Sequence, residues 1–296
     1  MTHRSGFVAV VGRPNAGKST LMNALVGHKV AITSDRPQTT RRAIRGILTT
    51  SSGQLIIVDT PGLHRPRTLL GERLNAAVLD TLSDVDVIAF CLPADQKVGP
   101  GDRFIAEKLR GIKRPVIAVA TKADLVPAQR MAEHLVDIDA LGDWTHIVPL
   151  SAVSGDQLDL FVELVIEQLP LGPLLYPDKE TTDEPDEVRI AEFVREAALE
   201  GVHDELPHSI AAMVEEIVPR EDRDDGMADV YVHIFVERPS QKAIVLGRNG
   251  ARLRAIRSKA RRQVQDLLGH PVNLDLHVKV AKDWQKDPKF LQRFGF

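Results

Sequence analysis

Lys18 and Ser19 follow two glycines at the G-x-x-x-x-G-K-[ST] spacing, in the run Gly12-Arg13-Pro14-Asn15-Ala16-Gly17-Lys18-Ser19-Thr20. At that spacing the glycines let successive backbone N–H groups wrap an anionic phosphate, the lysine reaches the outer phosphates, and the serine hydroxyl ligates magnesium. Three more short stretches suit the same ligand. Asp59-Thr60-Pro61-Gly62 ends an apolar run, which puts a carboxylate where it can hold the hydration shell of magnesium and the Gly62 N–H where it can approach a terminal phosphate. In Thr121-Lys122-Ala123-Asp124, the two oxygens of Asp124 match the N1–H and exocyclic amine of guanine, a donor pair that adenine lacks. Ser151-Ala152 offers a backbone N–H to the guanine carbonyl. A chance turn explains any one of these; their order along one chain argues for a guanine-nucleotide site.

The elements that must position these residues are legible around them. Phe7-Val8-Ala9-Val10-Val11 reads as a strand entering the phosphate loop, and Leu21-Met22-Asn23-Ala24-Leu25-Val26 as a helix leaving it, its positive N-terminal end aimed at the same phosphates. Further strands are expected over 43–48, 54–58, 86–92, 115–121 and 146–150, alternating with segments of helical spacing. That alternation predicts an α/β domain with a mostly parallel sheet covered on both faces, whose ligand loops lie at the carboxyl ends of the strands. Ser34 to Arg41 is polar and without period, and predicts a mobile loop. The one cysteine, Cys91, sits in the apolar run 87–91 and reads as a buried small hydrophobe.

At 296 residues with one phosphate loop, the chain has room for a second domain. A Pro-, Asp- and Glu-rich stretch over 173–188 reads as a linker between a first domain over 1–172 and a second over 189–296. In the second, the order is helix, strand, strand, helix, helix, strand, with Gly247-Arg248-Asn249-Gly250 between the paired helices. This resembles a KH domain of the bacterial topology, an α+β unit. From Gln241 to Arg262 there are eight basic residues and no acidic one. Leu253, Ile256, Ala260, Val264 and Leu267 form the expected buried stripe of the last helix, which turns most of that charge outward. Candidate RNA-binding residues are Lys242, Gly247, Arg248, Asn249, Gly250, Arg252, Arg254 and Lys259. The stretch 203–208 reads as a strand entry, and Trp144 and Trp284 as packing residues.

Taken together, the motifs resemble those of the TrmE/Era-type translation-factor-like GTPases, the bacterial ribosome-assembly branch that carries a C-terminal type II KH domain. Gln38-Thr39-Thr40-Arg41 and Asp59-Thr60-Pro61-Gly62-Leu63 add to the likeness. The resemblance implies slow hydrolysis of GTP to GDP, with Lys18, Thr40 and Gly62 at the reacting phosphate and magnesium held by Ser19, Thr40 and Asp59. It also places Lys122 along the base. Asn15 stands where relatives recruit potassium; a loop-capping hydrogen bond is the equal alternative. The implied partners are 16S rRNA near its 3′ end and the small ribosomal subunit, for a monomer in the cytoplasm, with peripheral membrane contact from the resemblance alone. Two positions depart from the usual pattern. Thr121 replaces the asparagine that opens the base motif, and Leu63 takes the place of a water-orienting glutamine.

No apolar run approaches the roughly 20 residues of a membrane span. The competing readings are an RNA-binding module whose nucleotide is structural, and a tRNA-modification-type GTPase. A simple P-loop kinase is disfavoured by Asp124 and by the lack of an evident acceptor site.

Overall fold

The computed structural model describes residues 3–34, 39–63, 69–202, 206–221 and 225–294. It divides into two units at Asp183/Glu184. In the first, β1 (Arg4–Gly12), β2 (Ile44–Thr49), β3 (Gly53–Asp59), β4 (Val87–Pro93), β5 (Val116–Thr121) and β6 (His146–Pro149) form one sheet in the order β2-β3-β1-β4-β5-β6. Only the β2–β3 pairing is antiparallel. The central strands are apolar in nearly every position because both faces are covered. On one face Val8, Val10, Leu55, Ile57, Ala89 and Val119 pack with α1 (Lys18–Val26) and α5 (Leu158–Gln168). On the other, Ala9, Val11, Ile88, Phe90 and Ala118 pack with α2 (Leu69–Asp84), α3 (Pro100–Leu109) and α4 (Ala128–Asp139). Cys91 is fully buried on the α1 and α5 face, and burial pushes its thiol up to about 12, so it is no nucleophile.

The segment expected to open a linker is tied to this first unit instead. Ser5 N donates to Pro170 O and Gly172 N to His3 O. The Gln54 side-chain carbonyl accepts from Leu175 N and Tyr176 N, while its amide donates to Tyr176 O. Further on, Ile47 N donates to Thr181 O, Thr182 Oγ1 donates to Arg45 O at 2.6 Å, and Asp183 receives Arg45 and the Tyr176 hydroxyl. The edge strand β2 and its neighbour β3 thus gain partners from residues that composition alone marks as a tether.

The second unit contains α6 (Asp186–Leu199), α7 (Leu206–Ser209), β7 (Ala211–Pro219), β8 (Ala228–Val236), α8 (Pro239–Leu246), α9 (Ala251–Leu268), β9 (Val272–Val280) and α10 (Pro288–Arg293). Its sheet runs β7-β8-β9, with β7–β8 antiparallel and β8–β9 parallel. Ile190, Phe193, Val194 and Ala197 of α6 are buried as their spacing predicts, and so are Ile256, Ala260 and Val264 of α9. Two expectations are corrected. The described part of 203–208, expected as a strand entry, is a short helix, α7, that leads into β7; beside it the Ser209 hydroxyl receives Gln241 Nε2 and its carbonyl receives Trp284 Nε1. Leu274, Leu276, Val278 and Val280 alternate with polar residues, which predicts a half-buried strand; the first three are buried in β9, but Val280 is 42% exposed. No described helix is long and apolar enough to cross a membrane.

Candidate active site and nucleic-acid face

The phosphate loop leaves β1 at Gly12 and enters α1 at Gly17, whose φ of 87° is left-handed and suits glycine. A side chain there would also face Thr121. Asn15 is left-handed as well, at φ 61°. Asparagine is among the few residues that accept this conformation readily, a backbone reason for its presence that sequence reading did not consider. Lys18 is buried, with Nζ donating to the carbonyls of Gly12 and Arg13 at 3.3 and 3.1 Å. Burial holds its ammonium below the usual lysine range, against the opposing charge of Asp59.

Three oxygen-bearing side chains from three separate segments meet beside it. Ser19 Oγ, at the first turn of α1, donates to Asp59 Oδ2 at 2.6 Å, and Thr40 Oγ1 donates to the same oxygen at 3.0 Å. The two hydroxyls lie 3.0 Å apart. Thr40 and Arg41 are buried, so the end of the predicted mobile loop is docked; residues 35–38, Gln38 included, lie outside the described residues. Burial raises the Asp59 carboxyl above the ordinary range, while Lys18 and the two hydroxyls oppose the shift. Among the described residues its buried Oδ1 has no hydrogen-bond partner. Hard oxygen donors around an unsatisfied carboxylate oxygen fit hydrated magnesium, which binds through one or two carboxylates plus phosphate.

Thr60 Oγ1 donates to Val10 O, locking the turn after β3 onto β1, and Pro61 is likewise buried. Gly62 lies against the loop, since a Cβ there would sit 2.7 Å from Pro14 N. Leu63 is buried in the core, and its N–H donates to Gly12 O. The position that could have presented a glutamine therefore points away from solvent.

At the base end, Thr121 Oγ1 donates to Ala16 O at 2.7 Å, a link between base motif and phosphate loop. Lys122 adopts a left-handed φ of 60° and pairs with Asp95 at 2.9 Å. Ala123 opens a short 3₁₀ turn whose N–H donates to Leu150 O. Asp124 is exposed, with Oδ1 accepting from Ser151 Oγ at 2.6 Å. The desolvation that would penalise a wrong base is thus imposed only when a bound base covers the carboxylate. Ser151 is buried and Ala152 half-buried beside it; Thr20 lies on α1.

In the second unit Gly247 has φ 70° and ψ 173°, and a Cβ on it would meet the Cβ of Arg252 at 2.7 Å. Asn249 and Gly250 are also left-handed. The turn leads into the N-terminus of α9, with Arg254 Nη1 donating to Asn249 O at 2.8 Å. Arg248 and Asn249 are exposed and Lys242 half-buried. Two of the expected basic residues have work inside the unit. Arg252 Nη2 donates to the carbonyls of Ala198 and Glu200, closing the C-terminal end of α6, and Lys259 pairs with Glu200. Sequence reading left out of its site set Arg257, Arg261 and Arg262, which are exposed along α9, and Ile244, which is 50% exposed one turn before Gly247. The outward side of the basic helix was the available signal for the first three.

Residues 7–122 match the family described as 50S ribosome-binding GTPase, and residues 205–285 match the KH domain family. The chain is 60% identical to GTPase Era of Streptomyces coelicolor, over 99% of its own length and 95% of that protein's. It is 59% identical to GTPase Era of Mycobacterium avium, with 99% of each covered. Among solved structures it is similar to Aquifex aeolicus Era bound to GDP·AlF4− and to Era in complex with MgGDPNP and nucleotides 1506–1542 of 16S ribosomal RNA. Both give a TM-score of 0.95 at 36% identity, with 99% of each chain covered. With a phosphate loop, a guanine-type base motif and a glycine turn ahead of a basic helix all in place, and with identity of this extent along both units, the chain belongs to the Era family of GTPases.

Proposed function

We propose that this chain is a GTP-driven switch that holds single-stranded RNA near the 3′ end of 16S rRNA through its KH domain. In this reading it assists assembly of the small ribosomal subunit, acting as a monomer in the cytoplasm. The observation that carries the switch is the meeting of Ser19, Thr40 and Asp59. Thr40 comes from a polar loop distant in sequence from both partners, yet its hydroxyl is buried against the Asp59 carboxylate beside the phosphate loop. The RNA part is supported by the Gly247–Gly250 turn, by the exposed arginines of α9, and by the rRNA complex of an Era of the same fold.

Magnesium, when bound, neutralises charge developing on the phosphates. The chain's own residues do the rest. Lys18 turns from its two carbonyls to the outer phosphate oxygens, and the loop N–H groups and that of Gly62 surround them. Thr40 follows the terminal phosphate, and Asp124 with the Ala152 N–H reads the base. Among the described residues no side chain replaces the glutamine absent at Leu63, which fits slow intrinsic hydrolysis; potassium beside Asn15 is the proposed aid to charge neutralisation. The test is single-turnover GTP hydrolysis by the purified chain, with and without an oligonucleotide of the 16S 3′ end. The expected result is phosphate release that Lys18→Ala abolishes. Bound GTP that is never cleaved under either condition would leave a passive RNA-binding module.

A further inference from the structure

The stretch from Ala94 to Asp102, the turn after β4 and the first turn of α3, carries none of the nucleotide motifs, yet it holds two of them. Ala94 N donates to Thr121 O at 2.9 Å. Next, Asp95 Oδ2 receives Lys122 Nζ at 2.9 Å, which fixes the base motif. Gln96 Oε1 then receives Arg13 Nη1 at 2.6 Å, and Asp102 Oδ1 receives Arg13 Nε at 3.0 Å, which fixes the phosphate loop. The second oxygen of Asp102 accepts from Gly99 N at 2.8 Å and so caps α3. Its side chain is only 1% exposed. The carbonyl of Arg13 is one of the two that hold Lys18, and it also receives Ala16 N. The next residue, Pro14, is the one Gly62 lies against.

A guanidinium is a rigid planar fork, so two acceptors on two of its nitrogens fix its plane and, through a short backbone path, the carbonyl behind it. A buried carboxylate that loses its cation is left uncompensated. We propose that Arg13 and Asp102 are positioning residues of the nucleotide site. Residues 94–102 form a brace that sets the phosphate loop against the base motif and so governs nucleotide release without touching the nucleotide. The rival account is that Asp102 serves only to cap α3. Asp102→Asn separates the two, because the amide carbonyl can still accept from Gly99 N while its NH2 group faces the Arg13 donor.

The inference rests on the guanine-nucleotide reading above, so the experiment begins with fluorescent GDP bound to the unaltered full-length chain. Release is then timed by displacement for Asp102→Asn, Arg13→Met and the double variant. Release about tenfold faster or more is expected in each single variant, in line with loss of one charged hydrogen bond in Asp102→Asn and of two in Arg13→Met. The double variant is expected to release no faster than either single one. In Asp102→Asn the KM for GTP should rise while single-turnover hydrolysis at saturation stays unchanged, a split that a loosened fold would not give. Arg13→Met, at a half-exposed position, carries the test if Asp102→Asn fails to fold. Release within twofold of the unaltered chain in Arg13→Met, or effects that multiply in the double variant, would overturn the brace. An unaltered chain that binds no GDP would overturn the reading beneath it.

Discussion

The hydroxyl of Thr121 donates to the carbonyl of Ala16 at 2.7 Å, joining the end of β5 to the phosphate loop through a contact in which both residues are buried. A threonine in place of the usual asparagine therefore still bridges base motif and loop. Thr121→Val keeps the shape and strands the Ala16 carbonyl, at a cost of about 1–3 kcal/mol. We expect a lower melting temperature and faster GDP release, with Thr121→Ser restoring both. Unchanged release in Thr121→Val would show that the bridge does not shape the site.

In the proposed reading, Asp124 is the residue that pairs with guanine. Asp124→Asn replaces one of two acceptors with a donor, and GTP affinity should fall roughly a hundredfold or more, since a site built to pair donors rejects a mismatch strongly. Isothermal titration against GTP and ATP provides the check. Equal affinities for the two nucleotides in the unaltered chain would sink the assignment.

Potassium should accelerate hydrolysis relative to sodium at matched ionic strength, given Leu63 in the core and Asn15 in the loop. Asn15→Gly keeps the left-handed backbone available while removing the side chain, so it separates ion recruitment from loop geometry. The potassium advantage should vanish in Asn15→Gly with GDP still bound. If the advantage persists there, the Asn15 side chain serves the loop and not the ion.

Acid should weaken the second unit through His233. Burial lowers this histidine below its ordinary value of 6.5, with Lys279, His277 and Arg293 acting in the same direction and Glu215 opposing. The unfolded chain then takes up the proton first, so stability is full above pH 6.5 and falls as the pH drops from there through the lowered value. Urea unfolding between pH 8 and pH 5 reads this directly. Replacing the opposing carboxylate, Glu215→Gln, should lower the His233 value further and deepen the acid loss.

RNA affinity should differ between the GTP and GDP forms, and by linkage RNA must shift the nucleotide preference by the same factor, of about 1–3 kcal/mol for a typical coupling. The segment up to Asp183 is bound along β2 and β3, and α6 begins at Asp186. The stretch left to act as a tether is shorter than its composition suggests. The measurement is single-stranded RNA affinity with a non-hydrolysable GTP analogue and with GDP, in the unaltered chain and in Thr40→Ala. Equal affinities throughout would mean that the two units are merely tethered.

The sequence by itself determined what depends on neighbours along the chain. Glycine spacing sets the phosphate loop, apolar runs bounded by turns set β1 to β6, and the stripe Ile256, Ala260, Val264 sets the buried side of α9. Such patterns are local because backbone conformation and the face an element buries follow from adjacent residues. Only the tertiary structure decided which distant polar groups meet. Thr40 reaches Asp59, Thr121 reaches Ala16, Arg13 reaches Asp102, and Arg252 reaches the carbonyl end of α6. Likewise, a segment composed like a linker becomes part of the first unit because β2 and β3 offer hydrogen-bond partners to its backbone and side chains. Hydrogen bonds and ion pairs act over about 3 Å and carry no period in the sequence. Their partners are fixed only when the packed core brings the segments within reach.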